Sequence, residues 1–300
     1  MNRRTFIRNS AVAGAAIATG IATAQGAARF TCIMFTKHLK GQSIDEMIAS
    51  MKFVGSGGMD LAVRPGYPVD PDNCAGALVP AVEKIRAAGL DVPMVTSPGD
   101  LTTVTRPYAR ALFEACGEAK IPLIKLGYWG APKEDYWGAV TKLNEDVAGF
   151  VELGEEFGVK PCLHTHSGNN MFLNAAAMMH TLREFTPEQA SAYVDVGHIA
   201  VCGEPPPLAF NMAAEWLSIV GMKDLDRIKG DDGSTRRRTV IMGEGFVNWK
   251  QTIDWLVASS FAGPLTFHCE FPADTTDFLL KQTKEDFAFI RELEAEARGA

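Results

Sequence analysis

Several things are missing from this sequence, and each absence removes a class of protein. After the first two dozen residues, no stretch approaches the ~20 uninterrupted apolar residues that a membrane helix needs, so no stable span is expected once a leader is removed. Positive charge is not in excess. Lysine and arginine total 29 against 36 aspartates and glutamates, for a net charge of -7, which argues against nucleic acid or an anionic membrane as the partner. The one dense basic run, Arg236-Arg237-Arg238, is short and sits in a polar stretch, where it reads as a solvated turn or, above a barrel, as an anion contact. No CxxC pair occurs among the six cysteines. A chain this long does not need staples, so buried free thiols are expected even in a disulfide-permissive compartment. Finally, no GxGxxG turn follows the first predicted strand; Phe35-Thr36-Lys37-His38 stands there instead, which removes the usual dinucleotide-binding fingerprint.

What is present begins with a leader. Arg3-Arg4 precedes a mildly apolar stretch rich in alanine and glycine, Ala11 to Ala22, and Ala22-Thr23-Ala24 offers small residues for a signal peptidase. Paired arginines before a weakly hydrophobic core point to the twin-arginine export route and a periplasmic or otherwise exported protein. A short amphipathic or anchoring segment is the plainer alternative. The chain therefore divides into a leader over residues 1–28 and a folded unit over residues 29–300.

Within that unit short β-rich runs alternate with longer helical ones. Strands are predicted at Phe30–Phe35, Met59–Val63, Val92–Thr96, Leu123–Leu126, Lys160–His164, Ala192–Asp195, Leu217–Met222 and Leu265–Cys269. Helical spacing marks Ile44–Val54, Ala75–Ala88, Tyr108–Ala119, Tyr136–Phe157 and Trp249–Ser259. Ser43 with Glu46 reads as a capping box, and Gly89, Gly158 and Gly263 stand where left-handed caps are expected. Eight such units predict a single closed (β/α)8 TIM barrel of the α/β class, with an open doubly wound sheet as the competitor. The longest loop is predicted from Arg227 to Gly245, after the seventh strand.

In such a barrel chemistry sits where strands end. The fifth strand ends His164-Thr165-His166, two histidines sharing one face. The sixth ends Asp195-Val196-Gly197-His198, and the eighth His268-Cys269-Glu270. Arg64, Lys125, Lys223 and Asp224 close the second, fourth and seventh. Singly, each has a structural explanation: a hydrogen-bonded histidine, a surface ion pair at Lys223-Asp224, an ordinary loop acid at Glu244. Together, four of the six histidines with Asp195 and Glu270 fall at three strand ends that must converge. A mixed nitrogen and oxygen set suits Mn²⁺, Zn²⁺, Fe²⁺ or Co²⁺ more than Mg²⁺ or Ca²⁺.

The pattern resembles the sugar phosphate isomerase/epimerase branch of the xylose isomerase-like TIM barrel superfamily. The resemblance covers nearly everything after the leader. It is carried by Phe35-Thr36-Lys37-His38-Leu39, Gly58 to Gly66, His164-Thr165-His166, Asp195-Val196-Gly197-His198, Met222-Lys223-Asp224, Gly243-Glu244-Gly245 and Gly263-Pro264-Leu265 through Glu270. It implies a divalent metal (Mn, Zn, Co or Mg) held by a glutamate, an aspartate, a histidine and a glutamate on the fifth to eighth strands. Asp195 and Glu270 match the second and fourth; His164 stands at the first position and Gly221 at the third. The expected ligands are therefore Asp195, Glu270, His164 and His198.

The implied reaction removes a proton beside a carbonyl of a small carbohydrate through an enediolate. Glu270 is the expected base, with His164 or His198 as the opposite acid/base. Arg64, Lys125, Lys223, His166 and Glu244 are expected to bind substrate, and Tyr128 and Trp129 to wall it. The alternatives are a sugar lyase or dehydratase on the same barrel and a sugar-binding barrel without its metal.

Overall fold

The fold is that of a computed structural model that describes residues 29–299; the leader expected over residues 1–28 lies outside them. Eight parallel strands close in the order β1-β10-β7-β6-β5-β4-β3-β2. They are β1 Cys32–Phe35, β2 Gly58–Ala62, β3 Asp91–Thr96, β4 Leu123–Lys125, β5 Lys160–His164, β6 Ser191–Asp195, β7 Leu217–Met222 and β10 Leu265–Phe267. Closure is made by β1 against β10, with Cys32 opposite Leu265 and Met34 opposite Phe267. This is the (β/α)8 barrel that the eight-fold alternation predicts. Met94, Leu123, Cys162, Tyr193 and Ile219 fill its axis, and a continuous apolar layer lies between strands and helices.

Helices follow most of the strands: α1 Ile44–Val54, α2 Cys74–Ala87, α3 Ala109–Glu118, α4 Tyr136–Phe157, α5 Ala175–Leu182, α6 Val196–Val201, α7 Pro206–Ala213, α8 Trp249–Ala258 and α9 Thr276–Arg298. Ser43 and Glu46 form the complete capping box at α1. Gly89 and Gly158 take left-handed φ values of 82° and 71°. Gly263 does not. Its role is close approach, since a Cβ there would lie 2.1 Å from the Ser218 carbonyl oxygen. All six cysteines are free thiols, five of them buried. No helix among the described residues is long and apolar enough to cross a membrane.

The predicted loop from Arg227 to Gly245 is largely an antiparallel hairpin of β8 Asp224–Lys229 and β9 Thr235–Val240. Its charged residues fall on both faces, so no apolar alternation announces it. What anchors it is Asp224, which the sequence offers as a surface ion-pair partner and the structure buries. Its carboxylate accepts from the backbone N–H groups of Gly243 at 2.9 Å, Gly245 at 3.1 Å and Val247 at 3.2 Å, and from the Trp249 indole at 2.9 Å. A carboxylate with four donors is a fixed knot, and it pins the hairpin over the strand ends.

Candidate active site

Each strand delivers its last inward-facing side chain to one small volume. Asp195 ends β6, fully buried, and its Oδ1 accepts from the His198 N–H at 3.1 Å as the cap of α6. That bond leaves Oδ2 turned inward. Around Oδ2 stand His268 Nδ1 at 3.4 Å, His164 Nε2 at 3.7 Å and Lys223 Nζ at 3.2 Å. Asp195 Oδ2 and His164 Nε2 are buried and have no hydrogen-bond partner. Buried polar atoms left without hydrogen bonds are costly and therefore rare, so His164 Nε2, which has no partner, and Asp195 Oδ2, which has only the Lys223 ion pair, mark by their convergence a place built for a third party.

The donors that converge there are His164, Asp195 and His268, their ligating atoms all within 4.8 Å of one another. Two neutral imidazoles and a carboxylate fit a divalent transition ion. Tyr193 adds the outer support such a site needs, since its hydroxyl bonds His268 Nε2 and leaves Nδ1 facing Asp195. Burial, followed by the nearby lysine charges, pushes His164 and His268 well below the ordinary imidazole range. Both stand unprotonated at neutral pH, the form that ligates.

Glu270 and His198, expected among the ligands, grip Lys223 instead. The Lys223 ammonium, 3% exposed, lies 3.0 Å from Glu270 Oε2 and 2.9 Å from His198 Nε2. Lys37, at the end of β1, holds the other Glu270 oxygen. Burial alone would raise the Glu270 pKa, but Lys223 and, with it, Lys37 outweigh it and hold the carboxyl well below its usual range. Burial likewise opposes the Lys223 charge, yet Asp195 and Glu270 outweigh it and raise the ammonium above the lysine range. With Lys223 donating to Nε2, His198 Nδ1 carries the hydrogen and donates to Ser167 Oγ at 2.9 Å. His198 is thus a neutral, doubly engaged imidazole.

The opposite wall comes from β4 and β5. Lys125 is buried without a hydrogen-bond partner, its Nζ 3.4 Å from the Tyr128 ring centroid. Desolvation drives its pKa well below the lysine range, with Arg64 adding to the effect. Tyr128 reaches His164 Nδ1 at 3.4 Å and packs on His166, centroids 4.6 Å apart. His166 stacks on His198 at 4.1 Å, and burial lowers its pKa to about 3. Arg64 lies half-buried over Phe35, its guanidinium carbon 5.3 Å from that ring.

Two residues expected in the site stand apart. Glu244 is exposed on the turn after β9, and its charge acts on Asp286 of α9. Trp129 turns outward to donate to Asp146 of α4 at 3.3 Å. Conversely, Lys37 and Asp60 carry more of the site than sequence reasoning assigned. Asp60, fully buried below it, accepts from Thr96 at 2.6 Å and Thr266 at 3.2 Å, and desolvation raises its pKa to about 6. Lys37 follows β1 directly, so the strand-end rule applied to the first strand would have found it. An open cleft of about 410 Å³, lined by His38, Glu270, Phe271 and Asp274 among others, leads in beside Glu270.

Residues 55–293 match the sequence profile described as "Xylose isomerase-like TIM barrel". An inosose dehydratase of Lacticaseibacillus casei is 22% identical over 269 residues, covering 82% of this chain and 89% of that protein. Among solved structures, the 3-keto-D-glucoside 4-epimerase of E. coli superposes with a TM-score of 0.68 at 13% identity, covering 88% of this chain and all of that one. A xylose isomerase domain protein from Planctomyces limnophilus gives 0.70 at 14% identity, over 90% of this chain and 99% of the other. At these identities the structural matches speak for the fold.

Proposed function

The chain belongs to the xylose isomerase-like TIM barrel family, and from that premise we propose that it is a metal-dependent enzyme that isomerises or epimerises a sugar or sugar derivative through an enediolate. The observation that carries this reading is the convergence of the unpartnered His164 Nε2 and of Asp195 Oδ2, which only the Lys223 ion pair meets, with His268 Nδ1, beside a lysine-held carboxylate. His164, Asp195 and His268 would hold the ion. A divalent ion bound there supplies Lewis-acid polarisation of a substrate carbonyl.

The chain's own residues do the rest. Glu270, ionised and facing the cleft, takes the proton from the carbon beside the carbonyl once Lys223 turns its hydrogen bond to the substrate oxygen, which frees a Glu270 oxygen and lets its basicity rise. Lys223, kept charged by its two carboxylates, donates to the oxygen on which negative charge grows. His198 fixes Lys223 from behind. Lys125, Arg64, Tyr128 and His166 orient hydroxyl groups on the far wall, and the proton held on Glu270 returns to the adjacent carbon of the enediolate. The paired arginines near the N-terminus favour an exported protein.

A second reading, loss of water from the same enediolate, is favoured by one observation: His164 stands on β5 where the family's epimerases use a second glutamate, and the curated relatives are dehydratases. Both readings are tested by incubating the protein with Mn²⁺ or Zn²⁺ and a panel of keto- and aldo-sugars in D₂O. Deuterium entering beside the carbonyl with the rest of the product mass conserved supports isomerisation, and loss of water supports the second reading. The absence of both exchange and metal uptake overturns the enzyme assignment.

A further inference from the structure

Next to the strand-end site lies a basic hollow that the proposed chemistry leaves unused. It is an open hollow of about 180 Å³, lined by Ser167 and Gly168 after β5, by Val201 and Cys202 at the end of α6, and by the exposed Arg227, Arg236 and Arg237 of the β8–β9 hairpin. Arg236 is neutralised by Asp232 at 3.3 Å. Neither Arg227 nor Arg237 pairs with a carboxylate among the described residues. They are nevertheless direct cross-strand partners in the hairpin ladder. Like charges directly opposite each other weaken a ladder. One register position away the same ladder solves this problem, since Asp226 opposite Arg238 forms a 3.0 Å ion pair. An uncompensated arginine pair in a protein of net charge -7 is an arrangement that wants an anion.

The pair is also aimed. Arg237 Nη1 donates to the Ser167 carbonyl and lies 3.4 Å from Ser167 Oγ. Gly168 makes the room for it. Its φ is +103°, and a Cβ there would sit 2.6 Å from Nη1. Ser167 Oγ accepts from His198 Nδ1 at 2.9 Å and His198 Nε2 meets Lys223 at 2.9 Å, so Ser167 and the His198 imidazole link the hollow to the Lys223–Glu270 centre.

We infer that Arg227 and Arg237 form an oxyanion subsite for a carboxylate or phosphate carried on the substrate, which makes the substrate an acidic sugar rather than a neutral one. Guanidinium forks take both groups in bidentate fashion. The inference deepens the proposed function and rests on it only for the statement that the anion belongs to the substrate.

The test is equilibrium binding of D-gluconate, inorganic phosphate and D-glucose to the full protein, by calorimetry at two salt concentrations. Gluconate or phosphate should bind and glucose should not, with affinity falling as salt rises. Tighter gluconate identifies a sugar acid, and tighter phosphate a sugar phosphate. Arg227→Gln should weaken the anion about tenfold or more, the loss of one charged hydrogen-bonding group, and Arg227→Lys should recover part of it. Because that glutamine removes the repulsion, it should also raise the melting temperature in anion-free buffer, so the variant informs even where binding is weak. Asp195→Asn removes a proposed metal donor and should leave anion binding in place, so the two readings fail separately. Failure of both anions to bind, or equal binding by wild type and Arg227→Gln, overturns the subsite.

Discussion

Lys223→Met tests whether the charge cluster is assembled as described. The methionine is close in length to lysine and removes only the ammonium. Lys223 is 3% exposed, Asp195 is fully buried and Glu270 is 16% exposed, with ion-pair distances of 3.2 Å and 3.0 Å. Removing the one cation that both carboxylates share leaves buried charge uncompensated, which costs about 3–5 kcal/mol when a buried pair is broken. Lys37 still holds one oxygen of Glu270, which places the expected loss near the lower end, about 3 kcal/mol. The pH dependence gives a second reading. Glu270 is an acid whose folded pKa is depressed by Lys223 and its neighbours. Its contribution is therefore fully present above the unfolded value near 4.5 and is lost as pH falls below that value. The wild-type advantage over Lys223→Met should be full at pH 7 and shrink by pH 4, measured by urea unfolding of metal-free protein. Added Zn²⁺ or Mn²⁺ should stabilise the variant more than the wild type, because the ion no longer shares Asp195 with an ammonium. A variant as stable as wild type at pH 7, with a parallel pH profile, would refute the reasoning.

Two further outcomes follow from neighbouring groups. Asp60 has its pKa raised to about 6 by burial. A raised carboxyl pKa means that the folded state holds its proton more tightly, so this group's contribution falls as pH climbs from about 4 to 6 and is flat above. A shift of roughly two units amounts to ~3 kcal/mol, and Asp60→Asn should gain on wild type across that window in urea titrations; parallel profiles would sink the idea. His268→Gln keeps a polar partner for Tyr193 but loses the ligating nitrogen. Elemental analysis should show bound metal reduced, with affinity weaker by at least about tenfold and circular dichroism unchanged, and an undiminished metal content would remove His268 from the set.

The barrel was legible because its strands are apolar runs bounded by caps, and each run needs the next to bury it. The β8–β9 hairpin was not. Its register pairs are Asp226 with Arg238 and Arg227 with Arg237, so it carries no alternation of apolar and polar residues, and its anchor is the single buried carboxylate of Asp224. In the site, the strand-end rule located His164, His166, Asp195, His198, Lys223 and Glu270 without assigning their partners. Which nitrogen meets which oxygen depends on register across strands distant in sequence. Glu244 shows the converse, because the same hairpin that carries Arg237 onto the Ser167 carbonyl leaves Glu244 exposed on its return.

Register also explains how histidine can change strands within one site. Gly221 on β7 pairs with Thr266 on β10, and the His268 N–H bonds the Met222 carbonyl at 3.0 Å. His268 therefore rises beside the space that a side chain at 221 would enter. A Cβ on Gly221 would lie 3.0 Å from the Tyr193 ring and 3.1 Å from Asp195 Cβ, and these are the two residues that His268 contacts through its two nitrogens. One imidazole stands between Tyr193 and Asp195, and it is supplied from the strand end after β10. With glycine at 221 the neighbouring strand supplies it, from a side chain two residues before Glu270. A motif read along β7 alone records a missing nitrogen, whereas β10 brings one to Asp195 from His268, two residues beyond the position level with Gly221.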